Sequence, residues 1–324
     1  MKSKLRLISL FCGCGGSDLG ALGGFSYLGN KYKKNNIEVV HASDINQKAV
    51  NTYNLNFKHQ AICEDIRNIN FQIDLADIVL GGFPCQNFST VNPTKAPDDK
   101  DNQLFWEMSR VVKQVRPKFF VAENVKGFAR LKQGKYIKMA VEDFELNGYT
   151  VKWEILNSSF FGIPQLRERA IIVGVRNDLD YHEAFQFPKP THGDGLKKLV
   201  PLNKVLTDND IVGEKYYFSK RAVEGVKKAK GNMKRAVAQD VNGPCLTITS
   251  HLAKVSLNSR DPVLLVDPSK ERYRRFSPDE AARIQSFPES FRFVGSEGDA
   301  YRQIGNAIPP VLMWHIIQEI NKLS

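Results

Sequence analysis

The chain has 324 residues, enough for one large domain or for a large and a small one. It is 42% hydrophobic and 25% charged, which suits a globular protein with a proper core, and no apolar run approaches the length of a bilayer span. The formal charge of +11, with a pI near 9.3, makes nucleic acid the leading partner class, because a basic surface concentrates polyanions. The apolar run Leu5 to Phe11 stops at glycines and is too short for a signal peptide, so a cytoplasmic protein outside the membrane is expected. The five cysteines, Cys12, Cys14, Cys63, Cys85 and Cys245, are odd in number and scattered, unlike a disulfide framework. Cys12 and Cys14 have no second Cys or His pair at zinc-like spacing, so no metal site is expected.

The first half alternates short apolar runs with amphipathic stretches. Strands are predicted at Leu5–Phe11, Glu38–Asp44, Asp77–Gly81, Phe119–Glu123, Val151–Leu156 and Ala170–Val175. Helices are predicted at Gln47–Asn56, Leu104–Val115 and Tyr136–Asn147, the last stopped by Gly148. The alternation implies an α/β fold with a mostly parallel, doubly wound sheet, whose ligands lie beyond the carboxyl ends of the strands. From about Phe185 the pattern is broken by Pro188, Pro190, Gly193, Gly195 and Pro201, which marks a domain boundary. A basic cluster follows: Lys227, Lys228, Lys230, Lys234 and Arg235. A helix returns at Ser277–Phe287, with Ser277 as cap and Pro278 first, and Pro310–Asn321 reads as a closing amphipathic helix.

Candidate chemistry sits at the predicted strand ends. Phe11-Cys12-Gly13-Cys14-Gly15-Gly16 is a turn whose glycines let the backbone approach a ligand. Asp18 stands where the dinucleotide fingerprint expects its third glycine, which argues against a nicotinamide cofactor. Asp44 ends the second strand, where a carboxylate can accept from both hydroxyls of a ribose. Asp65 could accept from an adenine amino group, with Ile45 and Ile66 as apolar faces for the ring; together these favour an adenosyl ligand. Cys85 follows a Gly-Gly turn and Pro84 at the mouth of the sheet, a position suited to a nucleophilic thiolate. Glu123 ends the next strand, where a carboxyl can donate to, and accept from, a heterocycle edge. Arg167 and Arg169 face one side of an extended segment and could both reach that site.

In this order the motifs resemble the cytosine-5 methyltransferase family over nearly the whole length. They are the Phe11–Gly16 turn, Pro84-Cys85-Gln86, Glu123-Asn124-Val125 and Gln165-Leu166-Arg167-Glu168-Arg169. Arg272–Phe291 resembles the family's ninth motif, and Gly305-Asn306-Ala307-Ile308-Pro309-Pro310 its tenth, which completes the cofactor pocket. Cys12 stands where the family usually has serine and Phe83 where it usually has proline, and residues 101–105 lack the usual Arg-Gly before Leu104-Phe105.

The resemblance implies a Rossmann-like domain that binds S-adenosyl-L-methionine, released as S-adenosyl-L-homocysteine, and a smaller DNA-recognition domain. The former would comprise residues 1–184 plus 303–324, the latter 185–302. Phe11, Gly13, Gly15, Gly16, Asp44, Ile45, Asp65, Ile66, Pro84, Leu104, Asn306 and Ala307 would then line the cofactor site. Cys85 would attack a flipped cytosine, Glu123 would assist at the ring nitrogen, and Arg167 and Arg169 would orient the base. Gln86, Ser89, Lys227, Lys228, Lys230 and Thr247 would contact double-stranded DNA. The family pattern further implies a monomer from a restriction–modification system, with a cognate endonuclease acting on the same site without a stable complex. Two rivals stand beside it: the family's tRNA-methylating branch, whose Cys-Phe-Thr element is not found, and a silent DNA-binding regulator, which should have lost Cys85 or Glu123.

Overall fold

The computed structural model describes residues 3–84, 103–229, 238–252 and 263–324, apart from the side chains of 103, 131 and 226–229. Cys85, Gln86, Ser89 and Lys230 lie outside the described residues. The sheet has seven strands: β1 (Leu5–Leu10), β2 (Ile37–Asp44), β3 (Ile62–Cys63), β4 (Ile78–Gly81), β5 (Phe119–Val125), β6 (Tyr149–Asn157) and β7 (Glu168–Arg176). Their spatial order is β3-β2-β1-β4-β5-β7-β6. Strands β1 to β5 pair in parallel, while β7 runs antiparallel to both β5 and β6. The order reverses between β1 and β4, and the crevice above that switch point is where such sheets take ligands.

The central strands read as continuous apolar runs because both faces are covered. Alternate residues go to opposite layers. Leu7, Leu80, Phe119 and Val121 pack with the helices α1 (Gly16–Leu22) and α9 (Pro310–Asn321). Ile8, Val79, Phe120 and Ala122 pack with α3 (Gln103–Val115) and α5 (Lys135–Leu146). The closing helix returns tightly to the first one. A Cβ at Gly20 would lie 2.3 Å from the Pro310 carbonyl oxygen, so this contact requires glycine.

Helix α2 (Gln47–Asn56) follows β2, capped by Asn46, whose side chain accepts from Lys48 N and Ala49 N. The helix expected at Ser277–Phe287 is shorter, α7 at Pro278–Ile284. Ser286 adopts the left-handed conformation (φ 68°), and Phe287 N turns back to donate to the Ala282 carbonyl at 2.9 Å. A serine is found there because its Oγ accepts from Val311 N at 3.2 Å, in the first turn of α9. Helix α8 (Glu297–Asn306) then leads into α9. Among the described residues no helix is long and apolar enough to cross a membrane.

A third apolar cluster collects Leu202, Cys245, Ile248, Phe276, Ile284 and Tyr301, and includes Cys14 from the glycine turn. Beside it lies a fully buried ion pair. Arg274 Nη1 and Nη2 donate to Glu280 Oε2 and Oε1 at 2.7 and 2.8 Å. The same carboxylate accepts from Ser277 N, closing the capping box of α7, and from Thr207 N. Removing one partner strands a buried charge, so Glu280→Ala should cost about 3–5 kcal/mol. Urea denaturation followed by circular dichroism measures this; a loss under about 1 kcal/mol would mean that the arginine relaxes into water.

Candidate active site

The crevice is built from four strand ends. After β1 the chain turns through Phe11 (φ 52°), Gly13 (φ 55°) and Gly15 (φ 91°). The glycines divide their work. A Cβ on Gly13 would meet nothing within 4 Å, so this face is open to a ligand. A Cβ on Gly15 would strike the Phe57 ring at 2.3 Å, and one on Gly16 the Ile308 carbonyl at 2.6 Å. These two serve close packing.

Asp44, at the end of β2, accepts from Gly13 N at 2.9 Å and from Asn46 N at 2.8 Å. It thus holds the glycine turn against α2, and burial raises its carboxyl above the usual range. Asp18 is fully buried beneath the turn and accepts from Ser9 Oγ, Ser17 Oγ and Tyr53 OH at 2.8, 3.1 and 2.9 Å. Asp65 caps the short turn Ile66–Asn68 and pairs with the Arg67 guanidinium. Ile66 is buried in the core, which leaves Ile45, 69% exposed, as the apolar surface at this corner. Asn306 and Pro84 are exposed, Leu104 is half-buried on the α3 layer, and Ala307 touches Gly16.

Glu123 lies two residues before the end of β5 and is buried. Arg169 Nε approaches Glu123 Oε1 at 2.8 Å, and a Cβ on Gly82 would come within 3.2 Å of Glu123 Oε2. Burial raises the Glu123 carboxyl pKa, against the pull of Arg169 and Arg167. The neighbouring Asn124 donates from Nδ2 to the Phe83 carbonyl at 3.2 Å, tying the exit of β4 to β5. Phe83 itself is buried edge-on against Phe105 and Phe128, with ring centres 5.6 and 5.4 Å apart. The segment that leads into Cys85 is anchored up to Phe83.

Arg167 departs from expectation. It is fully buried, and its guanidinium donates to three carbonyls: Nη1 to Ile248 O at 3.1 Å, and Nη2 to Gly305 O and Ala307 O, both at 3.0 Å. Of the two arginines, Arg169 makes the ion pair with Glu123. Gln165, a residue that sequence reasoning left without a role, is the hub beside Arg167. It accepts from Ile248 N at 2.9 Å and donates to Gln285 Oε1 at 2.6 Å. Thr247 Oγ1 donates to the Leu166 carbonyl at 2.8 Å, and Lys227 and Lys228 lie on α6 (Lys220–Ala229).

Residues 5–322 match the family model described as C-5 cytosine-specific DNA methylase. The chain belongs to that family. It is 33% identical over 353 residues to the type II methyltransferase M.BspRI of Lysinibacillus sphaericus, covering 99% of this chain and 82% of that protein. It is 32% identical over 337 residues to M.FnuDI of Fusobacterium nucleatum, covering 98% and 94%. Among solved structures, the Entamoeba histolytica methyltransferase EhMeth superposes with a TM-score of 0.75 at 20% identity, covering the whole of both chains. The fold is accordingly the Rossmann-like one of the S-adenosylmethionine-dependent methyltransferases.

Two departures from the family pattern now have physical accounts. The Phe83 ring fills an aromatic pocket, and Cys12 packs among Ala42, Val50, Tyr53 and Ala61. Burial raises the thiols of Cys12, Cys14 (to about 12) and Cys245, so these three stay protonated, and Cys63 is exposed at the end of β3. Among the described residues no group of three or more His, Cys, Asp or Glu could hold a metal ion.

The Glu123 carboxyl should titrate above the ordinary glutamate range, and higher still in Arg169→Gln, which removes the nearest positive charge. Carboxyl-carbon NMR of labelled glutamate reads both. Titration at or below the ordinary range would mean that ion pairing outweighs burial.

Proposed function

We propose that this methyltransferase transfers a methyl group from S-adenosyl-L-methionine to carbon 5 of cytosine. The substrate is a specific short sequence of double-stranded DNA, and the reaction runs through a covalent adduct between Cys85 and a flipped base. The observation that carries the reading is the buried Glu123–Arg169 pair, beside Gly82 and the anchored approach to Cys85. The open Gly13 face and the Asp44 carboxylate beside it fit an adenosyl ligand carrying ribose hydroxyls. When bound, the cofactor supplies an electrophilic methyl group.

Carbon 5 of cytosine is a poor nucleophile until a thiolate adds to its neighbour. Cys85 forms that bond and pushes an electron pair towards carbon 5. Glu123, whose carboxyl burial pushes above the usual range, serves the ring nitrogen as charge builds there. Arg169 holds Glu123 in place and meets the electron-rich ring. Loss of the carbon-5 proton to a base then expels Cys85. Arg167 acts one step back, positioning the segment that carries Arg169.

Residues 1–184 plus 303–324 would form the catalytic domain and 185–302 the recognition domain, with Lys227, Lys228 and Lys230 on phosphates and Thr247 near the bases. The protein would act as a monomer in the bacterial cytoplasm, and its similarity to type II methyltransferases supports a role in protecting DNA against a cognate restriction endonuclease. Labelled methyl groups should enter duplex DNA and not tRNA, and bisulfite sequencing should place them at one short site. Glu123→Gln should lower kcat by about 10²–10⁴-fold. Label in tRNA, or a Glu123→Gln enzyme of wild-type rate, contradicts the reading.

A further inference from the structure

Helix α2 carries a polar face that the chemistry above does not use. Lys48, Thr52 and Asn56 stand four residues apart and line one side of the helix. All three reach one short segment, 292–299. Lys48 Nζ donates to Asp299 Oδ2 at 2.7 Å, and Val294 N donates to Thr52 Oγ1 at 2.9 Å. Asn56 pairs with the Arg292 backbone in both directions: its Nδ2 donates to the carbonyl at 2.7 Å, and its Oδ1 accepts from the amide at 2.9 Å. Phe57 adds an edge-on contact with Phe291, 6.2 Å between ring centres. Thr52 is fully buried, so its oxygen has no water to replace this partner.

The same helix is joined to the cofactor side. Asp44 and Asn46 lead directly into it, and Asp44 grips Gly13. Tyr53, next to Thr52, donates to the buried Asp18, and Gly15 lies against Phe57. On the far side, Asp299 closes the capping box of α8 with Ser296. That helix ends beside Gly305 and Ala307, whose carbonyls Arg167 holds. Helix α2 therefore has the cofactor turn fastened to one flank and the start of α8 to the other.

We infer that the Lys48–Thr52–Asn56 face of α2 couples the cofactor site to the target-recognition region, with Thr52 and Asn56 as positioning residues acting through residues 292–299. The inference rests on the methyltransferase reading. A ligand that steadies Asp44 and the glycine turn steadies α2, and α2 sets the start of α8 and the loops around Ile248. Linkage makes the coupling reciprocal: DNA must tighten cofactor binding by the factor by which cofactor tightens DNA.

The full chain is titrated with a duplex carrying the mapped methylation site, with and without S-adenosylhomocysteine, by fluorescence anisotropy. Calorimetry of S-adenosylhomocysteine, with and without the duplex, gives the reverse factor. In wild type each ligand should tighten the other equally, by about 5–150-fold. In Thr52→Val and Asn56→Ala the factor should fall towards one in both directions. Thr52→Ser, which keeps the hydroxyl oxygen, should retain it. Lys48→Gln alters a side chain that is 60% exposed, so the fold survives, and it should lower the factor part of the way. Variants that lose thermal stability but keep the wild-type factor overturn the inference, as does a wild type whose ligands bind independently. A wild type that binds neither ligand overturns the functional reading, and the inference with it.

Discussion

The guanidinium of Arg167 holds the crevice together. It bonds carbonyls that lie 81, 138 and 140 residues further along the chain, so one side chain ties its own segment to two others that no local structure would unite. Hydrogen bonds to a charged group contribute about 1.5–3 kcal/mol each, and a buried cation without acceptors is costly, so the arrangement is strongly determined. Gln165 and Gln285 extend it: Gln285 donates to the Ala307 carbonyl that Arg167 also uses. Arg169 follows two residues later on the same side. Its ion pair with Glu123 is therefore placed by the clamp next to it.

The second constraint is electrostatic. Glu123 is buried, which favours its neutral form, while Arg169 at 2.8 Å favours the charged one. Burial has the larger effect and raises the carboxyl above its usual range, which eases proton transfer to a ring nitrogen. The same burial that suits Glu123 for this task silences Cys12, Cys14 and Cys245 by keeping their thiols neutral.

Much of this was legible in the sequence, for physical reasons that differ by element. Helices α2 and α9 have the limits expected from the sequence, because apolar spacing over these stretches is clear and Pro310 marks the start of α9. Six of the seven strands were legible as apolar runs; β3, two exposed residues long, carries no such signal. The end of α7 was not legible, because a left-handed serine carries no signal until its bond to Val311 is seen. Alternation put Arg167 and Arg169 on one side but could not say that buried carbonyls would take Arg167. The polar face of α2 reads as solvated until residues 292–299 are folded against it.

The central claim is that Cys85 attacks the ring covalently, and a duplex with fluorine at carbon 5 of the target cytosine tests it most directly. Fluorine permits thiolate addition and methyl transfer but leaves no proton for the base to remove, so Cys85 cannot be expelled. The enzyme should remain on labelled duplex as an adduct that survives boiling in detergent. The adduct should require S-adenosylmethionine, vanish in Cys85→Ala, and persist in Cys12→Ser, Cys14→Ser and Cys245→Ser. An adduct in Cys85→Ala would name another nucleophile, and a wild type that methylates ordinary DNA at that site yet never traps would contradict the covalent route.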